Sequence, residues 1–124
     1  MARIFTLDEA NAEIARIRPL MAQIMAIRAE IMDKRPEVWP VLAKAASNGG
    51  NRVAAQVDQD FLHLQSLIKN ILEAGVEIKD IDTGLVDFHS LREGREVYLC
   101  WKFGEDQIQY WHELDAGFDG RQKL

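Results

Sequence analysis

Cysteine, proline and long apolar runs are scarce in this chain of 124 residues, which has one cysteine and three prolines. A single cysteine cannot form an internal disulfide, so nothing points to secretion. No apolar stretch approaches the roughly 20 residues of a membrane span, and the N-terminus carries no signal-peptide pattern. We therefore expect a cytoplasmic protein without a membrane partner.

Basic residues are also fewer than acidic ones, with 15 lysines and arginines compared with 20 aspartates and glutamates. The imbalance lies in residues 76–124, which carry six basic and eleven acidic side chains. An acidic surface repels phosphate backbones, so we expect no nucleic-acid partner. Such acids are typical of a solvated face, and the alternative is that some of them converge on a cation.

The remaining composition is that of a globular protein, with 48% hydrophobic and 28% charged residues. A chain of this length buries about two thirds of its unfolded surface, which suffices for one core. We predict a single domain over residues 1–124. The hydrophobic period divides it into a helical hairpin, residues 6–75, and a β-meander with a C-terminal tail, residues 76–124.

The first helix is predicted from a capping box in which Thr6 and Glu9 bond each other's amides. The helix extends to about Asp33, since apolar residues recur at alternating three- and four-residue spacing. Pro19 lies inside this helix and is predicted to kink it, or to divide it near Arg18. The residues of the stripe are Leu7, Ala10, Ile14, Ile17, Met21, Ile24 and Ile31.

A corner and a second long helix complete the hairpin. Pro36 ends the first helix, and residues 37–46 are predicted to form a short middle helix. Residues 47–51 have the composition of a loop. A second amphipathic helix is predicted from Arg52 to Gly75, antiparallel to the first.

From Gly75 the hydrophobic period changes from 3.6 to 2, which predicts strands. We predict a small antiparallel meander of three or four strands, and hence an α+β fold. The predicted strands cover residues 76–81, 85–91, 97–103 and 107–112.

The register of the central hairpin follows from its turn at Glu93-Gly94. A two-residue loop there places Phe88 opposite Leu99 on an apolar face. The other face pairs polar residues, Asp87 with Cys100 and His89 with Tyr98.

The next hairpin has two possible registers. A three-residue loop after Phe103 places His112 opposite Tyr98, on the polar face. A four-residue loop pairs Phe103 with Ile108 and sends His112 to the apolar face. We predict the four-residue loop because it matches apolar residues better, and a slip of one residue inverts every side chain.

Several short motifs follow one another along the chain. They are the capping-box helix, Gly84-Leu85-Val86-Asp87-Phe88, Cys100-Trp101 with Gly104-Glu105, Trp111-His112, and Gly117-Phe118 with Gly120-Arg121. In these segments the sequence resembles the bacterial domain-of-unknown-function family twenty-two zero three. The resemblance covers nearly the whole chain. It implies a small uncharacterised cytoplasmic protein and carries no established activity or catalytic residue, so whether the protein is an enzyme stays open.

Residues of the types that bind metals gather in the predicted sheet. Strand pairing could bring Asp87, Glu105 and His112 around zinc or another divalent ion. The chain has no CxxC, HExxH or EF-hand loop, so spacing alone does not identify a site. The alternative is that the two carboxylates bond turn amides and that the histidine is a hydrogen-bonded core residue.

Four further residues are candidates for ligand or interface contacts: Cys100, Trp101, Trp111 and Arg121. A cysteine in mid-strand usually behaves as a small buried hydrophobe rather than as a nucleophile. The tryptophans are more typical of the hinge between a sheet and its helices than of a ligand cage. Arg121 belongs to the C-terminal segment that carries the family resemblance.

Two long apolar helices exceed what a small sheet can cover, which predicts self-association into a four-helix bundle. Our first functional hypothesis is therefore a homodimeric binding or structural module. The second is a small enzyme or sensor that depends on a divalent metal held by the β-meander.

Overall fold

The computed structural model describes residues 3–47 and 59–124. The α+β class and the order of helices before strands are as predicted. The predicted loop beyond Ser47 and the predicted helix start at Arg52 lie outside the described residues. The helices are α1 (Leu7–Lys34), α2 (Trp39–Ser47) and α3 (Gln59–Glu73), with a 3-10 turn at Pro36–Val38, and the strands are β1 (Glu77–Asp80), β2 (Leu85–Arg92), β3 (Arg95–Lys102), β4 (Tyr110–Glu113) and β5 (Gln122–Lys123).

Helix α1 begins at the predicted capping box. The Glu9 amide donates to the Thr6 hydroxyl oxygen at 3.1 Å, and the Thr6 amide donates to the Glu9 carboxylate at 2.8 Å. These two bonds satisfy amides that have no partner inside the helix. The helix ends at Lys34, because Arg35 precedes Pro36 and leaves the helical region.

Pro19 does not divide α1, which continues through it for 28 residues. The proline is exposed, so its ring points to solvent. Ile17 and Met21 on either side are fully buried. Burial of the stripe before and after the proline favours helical backbone on both sides, although one backbone hydrogen bond is lost.

The apolar stripe of α1 is covered from Ala10 to Ile31, whereas Leu7 in the first turn is 40% exposed. Helix α3 packs antiparallel to α1, since Arg16 bonds Asn70 and Gln23 contacts His63. Among the described residues, the stripe is therefore shielded by the same chain, and the uncovered length behind the dimer hypothesis is not observed. The dimer itself stays a prediction. The buried positions are Ala10, Ile14, Ile17, Met21, Ile24, Ile27 and Ile31.

The strands form one antiparallel sheet in the order β1-β2-β3-β4-β5. It has five strands, whereas three or four were predicted. The fifth consists only of Gln122 and Lys123, which pair with β4. A polar strand of two residues has no alternation of apolar and polar positions, so the sequence pattern cannot reveal it.

The segment before α1 also joins the sheet. Phe5 forms a parallel bridge with Ser90 on the edge of β2. Its amide donates to the His89 carbonyl at 2.7 Å, and its carbonyl accepts from the Ser90 hydroxyl at 2.6 Å. These bonds fix the start of the helical layer to the sheet.

The register of the β2–β3 hairpin is confirmed. Arg92 pairs with Arg95 across the turn, and Phe88 pairs with Leu99 farther along. Both turn residues, Glu93-Gly94, have positive φ, at 53° and 77°. This backbone conformation matches the twist of a two-residue hairpin.

The predicted register of the next hairpin is wrong. Tyr98 pairs with His112 and Leu99 with Trp111, which is the register of the shorter loop. The chain leaves the sheet after Lys102. Ile108 lies in the connecting loop and is buried there, and its amide donates to the Asn11 side chain at 2.9 Å. Ile108 is therefore buried without pairing with Phe103, and that pairing was the reason for predicting the longer loop.

This register gives the sheet two different faces. The inner face packs on the helices in one hydrophobic cluster and includes Val86, Phe88, Leu99 and Trp101. The outer face carries Asp87, Cys100 and His112. Within the described residues, no helix is long and apolar enough to cross a membrane.

Candidate functional site

Three side chains that can bind metals meet on the outer face of the sheet: Asp87, Cys100 and His112. They come from β2, β3 and β4, and the paired register puts them on the same side of neighbouring strands. One ligand atom from each lies within 4.8 Å of the other two. Their exposed fractions are 1%, 0% and 2%. We call these residues the ligand cluster.

The hydrogen bonds of His112 orient its ring. Nδ1 lies 2.8 Å from the backbone carbonyl oxygen of Glu113, and Nε2 lies 3.0 Å from Oδ2 of Asp87. A carbonyl oxygen only accepts, so Nδ1 must carry a hydrogen. Nε2 is then the nitrogen that shares a proton with Asp87 or is available to an ion.

Only one of the two Asp87 carboxylate oxygens has a hydrogen-bond partner among the described residues. Burial raises the pKa of its carboxyl group, and the neighbouring His112 opposes this shift only in part. Its second oxygen, Oδ1, has no hydrogen-bond partner among the described residues. A buried carboxylate oxygen without a partner is costly and is a common sign of a ligand or ion.

Cys100 is unsuited to nucleophilic catalysis in this arrangement. Burial, followed by the neighbouring Asp87 carboxylate, raises the pKa of its thiol to about 12. Reactive cysteines have depressed pKa values because positive charges or helix N-termini stabilise the thiolate. The geometry therefore does not support a cysteine nucleophile with a histidine base. A cation bound beside the sulfur would reverse this preference.

The donor set and its spacing fit a tetrahedral transition metal. Zinc takes sulfur, imidazole nitrogen and carboxylate oxygen at about 2.0 to 2.3 Å, which separates neighbouring ligand atoms by about 3.3 to 3.8 Å. The His112–Asp87 separation is 3.0 Å, and all three ligand atoms lie within 4.8 Å of one another, which is close to this range. The bond from Nδ1 to a carbonyl is also what orients metal-binding histidines.

Glu105, which the sequence placed with Asp87 and His112, is held elsewhere. Its two carboxylate oxygens lie 2.7 and 2.9 Å from the Arg121 guanidinium, and one of them accepts from the Lys102 amide at 2.7 Å. The structure therefore brings together two of the three predicted ligands. Cys100, grouped with the ligand or interface candidates, stands in the third position.

The other three candidates lie around the cluster or behind it. Trp101 is buried on the inner face and donates from Nε1 to the Glu105 carbonyl at 2.8 Å. Trp111 is also on the inner face, with Arg92 and Arg95 over its ring. Both rings belong to the hydrophobic cluster that the sheet shares with the helices. Arg121 stacks on Tyr110 and Phe118, at 4.1 and 4.8 Å from the ring centroids.

Sequence reasoning missed a polar group that borders the cluster. The Tyr98 ring lies 5.4 Å from the His112 ring, and its hydroxyl donates to Glu77 at 3.2 Å. Lys79 also donates to Glu77, at 2.9 Å. Burial acts to raise the pKa of Glu77, but these two hydrogen bonds outweigh it and the net shift is downward. The only signal for this group was the alternation of apolar and polar residues that predicts β1. That alternation does not show how β1 pairs with β2.

The model of a family described as an uncharacterized conserved protein, DUF2203, matches residues 3–124. No curated protein and no solved structure matches the chain.

Proposed function

The chain belongs to this uncharacterised family, and we propose from its side chains that it is a transition-metal-binding protein. Asp87, Cys100 and His112 provide the ligands, as carboxylate oxygen, thiolate and Nε2. The observation that carries the proposal is their convergence: three donor types from three strands lie within 4.8 Å, and one buried carboxylate oxygen lacks a partner in the described part of the chain.

The donor types favour zinc or cobalt over calcium or magnesium. Thiolate and imidazole are soft or intermediate ligands, whereas calcium and magnesium prefer oxygen ligands only. Three protein ligands leave one tetrahedral position for a small molecule or water. Because the three residues are at most 2% exposed, a large substrate does not reach the ion in this conformation. Binding or sensing of the metal is therefore favoured over turnover.

A titration tests the proposal. Chelator-treated protein titrated with Co²⁺ is expected to bind one ion per chain and to develop a thiolate-to-cobalt charge-transfer band. Cys100→Ala abolishes the band, and His112→Gln weakens binding by at least about tenfold. The matched control is His63→Gln, which removes an exposed histidine of α3. Absence of binding, or binding that neither cluster variant changes, overturns the proposal.

A metal-binding thiol also favours a particular compartment. Cys100 must stay reduced to act as a ligand, and the cytoplasm keeps thiols reduced. We therefore retain the cytoplasmic location as part of the proposal. A protein whose isolated native form carries an oxidised Cys100 would contradict both the ligand role and this location.

Self-association through the helical hairpin is the second proposal. Leu62 and Leu72 of α3 are 51% and 43% exposed and line a groove of about 740 Å³ beside Ala46 of α2. A second copy would cover these side chains. Light scattering at low micromolar concentration is expected to give a dimer that Leu62→Gln weakens. Leu91→Gln on the sheet is the control, and a monomeric wild type overturns the proposal.

A further inference from the structure

A C-terminal segment connects β4 to β5 and contacts outer-face residues beside the ligand cluster. We call residues 114–121 the strap. The chain turns away after β4, where the Ala116 amide donates to the Glu113 carbonyl at 3.0 Å, forms a 3-10 turn at Phe118–Gly120, and returns to pair as β5. The strap therefore begins directly after His112 and its carbonyl partner Glu113.

The strap packs on the residues that flank Cys100. Tyr110 is the β4 partner of Cys100, and Lys102 lies two residues farther along β3 on the same face. Arg121 stacks on Tyr110, while the Lys102 amine lies 5.5 Å from the Phe118 ring centroid. Two side chains of the strap therefore contact neighbours of Cys100, and the positive charge of Arg121 acts to lower the pKa of the Cys100 thiol against the effect of burial.

One ion pair fastens the end of the strap. The Arg121 guanidinium binds both carboxylate oxygens of Glu105 with a single amino group. Its Nε is buried and has no hydrogen-bond partner among the described residues. Glu105 is itself fixed by the Lys102 amide. The ion pair is thus specific but incomplete, since this buried donor makes no hydrogen bond.

Little else holds the strap in place. All eight of its residues are exposed or only half-buried, and β5 has only two residues. Segments with few buried contacts open at low free-energy cost while the rest of the fold stays intact. The cluster beneath is fully buried, so an ion or a reagent needs such an opening to reach it.

We propose that the strap is the gate of the ligand cluster and that the Glu105–Arg121 pair is its latch, which sets how fast ions reach Cys100. The biological use of this gate rests on the metal site proposed above. The gate itself is a property of the fold and can be measured on the thiol without any metal.

The test compares the reaction rate of Cys100 with a thiol-specific disulfide reagent in metal-free protein. Arg121→Gln removes the latch and is expected to raise the rate at least about tenfold. The loss of the positive charge of Arg121 disfavours the thiolate, so a faster reaction must come from better access. A rate equal to that of the wild type overturns the proposal.

Two glycines of the strap give a matched pair. A Cβ at Gly120 would lie 2.7 Å from the Cβ of Ala116, whereas a Cβ at Gly117 meets nothing within 4 Å. Gly120→Ala must therefore shift the strap, and we expect a faster thiol reaction. Gly117→Ala should stay within about twofold of the wild type. Equal rates for the two variants contradict the gate.

Global unfolding must be separated from local opening. Ile71→Ala destabilises the helical layer, because Ile71 is fully buried in α3 and far along the chain from the strap. If Arg121→Gln exposes Cys100 no more than Ile71→Ala does at equal measured stability, opening is global and the proposal fails. Faster reaction in Arg121→Gln at wild-type stability supports it.

The metal arm distinguishes this inference from the proposed function. Uptake of Co²⁺ followed by stopped flow should be faster in Arg121→Gln, with the equilibrium affinity little changed. If no variant binds metal but the thiol rates rise, the gate stands and the proposed function fails. If metal binds and the thiol rates do not rise, the metal site stands and the gate fails.

Discussion

Both faces of the sheet carry buried side chains, but these side chains differ in chemistry. On the inner face, side chains such as Phe88 and Trp101 are covered by helices and contribute through apolar area. On the outer face, Asp87, Cys100 and His112 are equally buried but polar, and Asp87 and His112 bond each other. Burial of the side chains on the inner face is explained by their contribution to stability alone. Burial of the polar side chains on the outer face is not.

That difference is one of the grounds for the metal-binding function proposed above. Burying a carboxyl, a thiol and an imidazole costs free energy that apolar residues of similar size would not cost. A chain that keeps them on a buried face retains a chemical capacity at the expense of stability. The inner face therefore contributes to folding, whereas the proposed metal binding rests on the outer face.

The largest expected effect lies on the inner face. Trp101→Ala removes a fully buried ring and its bond to the Glu105 carbonyl, and it should lower the free energy of unfolding by about 3 to 5 kcal/mol. Urea unfolding followed by circular dichroism measures the loss. Leu91→Ala, at a 56% exposed position, is the control and should cost less than about 0.5 kcal/mol. Equal losses would contradict the assignment of the faces.

The outer face should respond to pairs rather than to single residues. Asp87→Leu or His112→Leu alone leaves a buried polar partner and should cost about 3 kcal/mol. The double variant removes both polar groups and should cost clearly less than the sum of the two, with a coupling of about 1 to 3 kcal/mol. A double-mutant cycle in urea checks this. Strictly additive losses would mean that the two side chains do not act as a pair.

Two aspartates around the start of β2 have pKa shifts of opposite sign. Burial raises the pKa of Asp87, whereas hydrogen bonds from Trp39 and Arg28 lower the pKa of Asp82. The Asp82 interactions therefore stabilise the fold above its unfolded pKa of about 3.9, and this contribution is lost as pH falls through the lower folded value.

Stability measured between pH 7 and pH 2 should show this loss in the wild type and a flatter dependence in Asp82→Asn. Asp119→Asn, on the exposed strap, controls for the removal of one negative charge. An unchanged profile in Asp82→Asn would show that the contacts with Trp39 and Arg28 do not stabilise the charged carboxylate.

The smallest effect is expected at Glu113, directly after His112. Its side chain pairs with Arg95 at 2.9 Å, but both are partly exposed, so Glu113→Gln should cost less than about 1 kcal/mol. The bond to Nδ1 of His112 uses the main-chain carbonyl and should persist. Urea unfolding gives the cost, and the NMR shifts of the imidazole ring report the bond. A loss comparable to that of His112→Leu would show that the carboxylate matters.

The fold was predictable where local signals decide it. The capping box at Thr6, the end of α1 before Pro36 and the two-residue turn at Glu93-Gly94 are set by neighbours in sequence, and each is found as predicted. The turn at once gives the β2–β3 register, and with it the pairing of Asp87 and Cys100.

The site was only partly predictable, because its third strand depends on a longer connection. Between Lys102 and Tyr110 the chain leaves the ladder, and Ile108 is buried without pairing. Matching apolar residues across the loop therefore gave the wrong register for His112. Glu105 was misplaced for a similar reason: its partner, Arg121, arrives by a return of the chain that no local pattern indicates.

The bridge between Phe5 and Ser90 has a consequence for how the domain forms. The Ser90 hydroxyl and the Phe5 carbonyl are 85 positions apart in the sequence, so this contact closes a loop that spans most of the molecule. Closing such a loop costs chain entropy before later contacts repay it. We therefore expect the rate-limiting event in folding to be the docking of the segment before α1 on β2, long after the helices themselves can form.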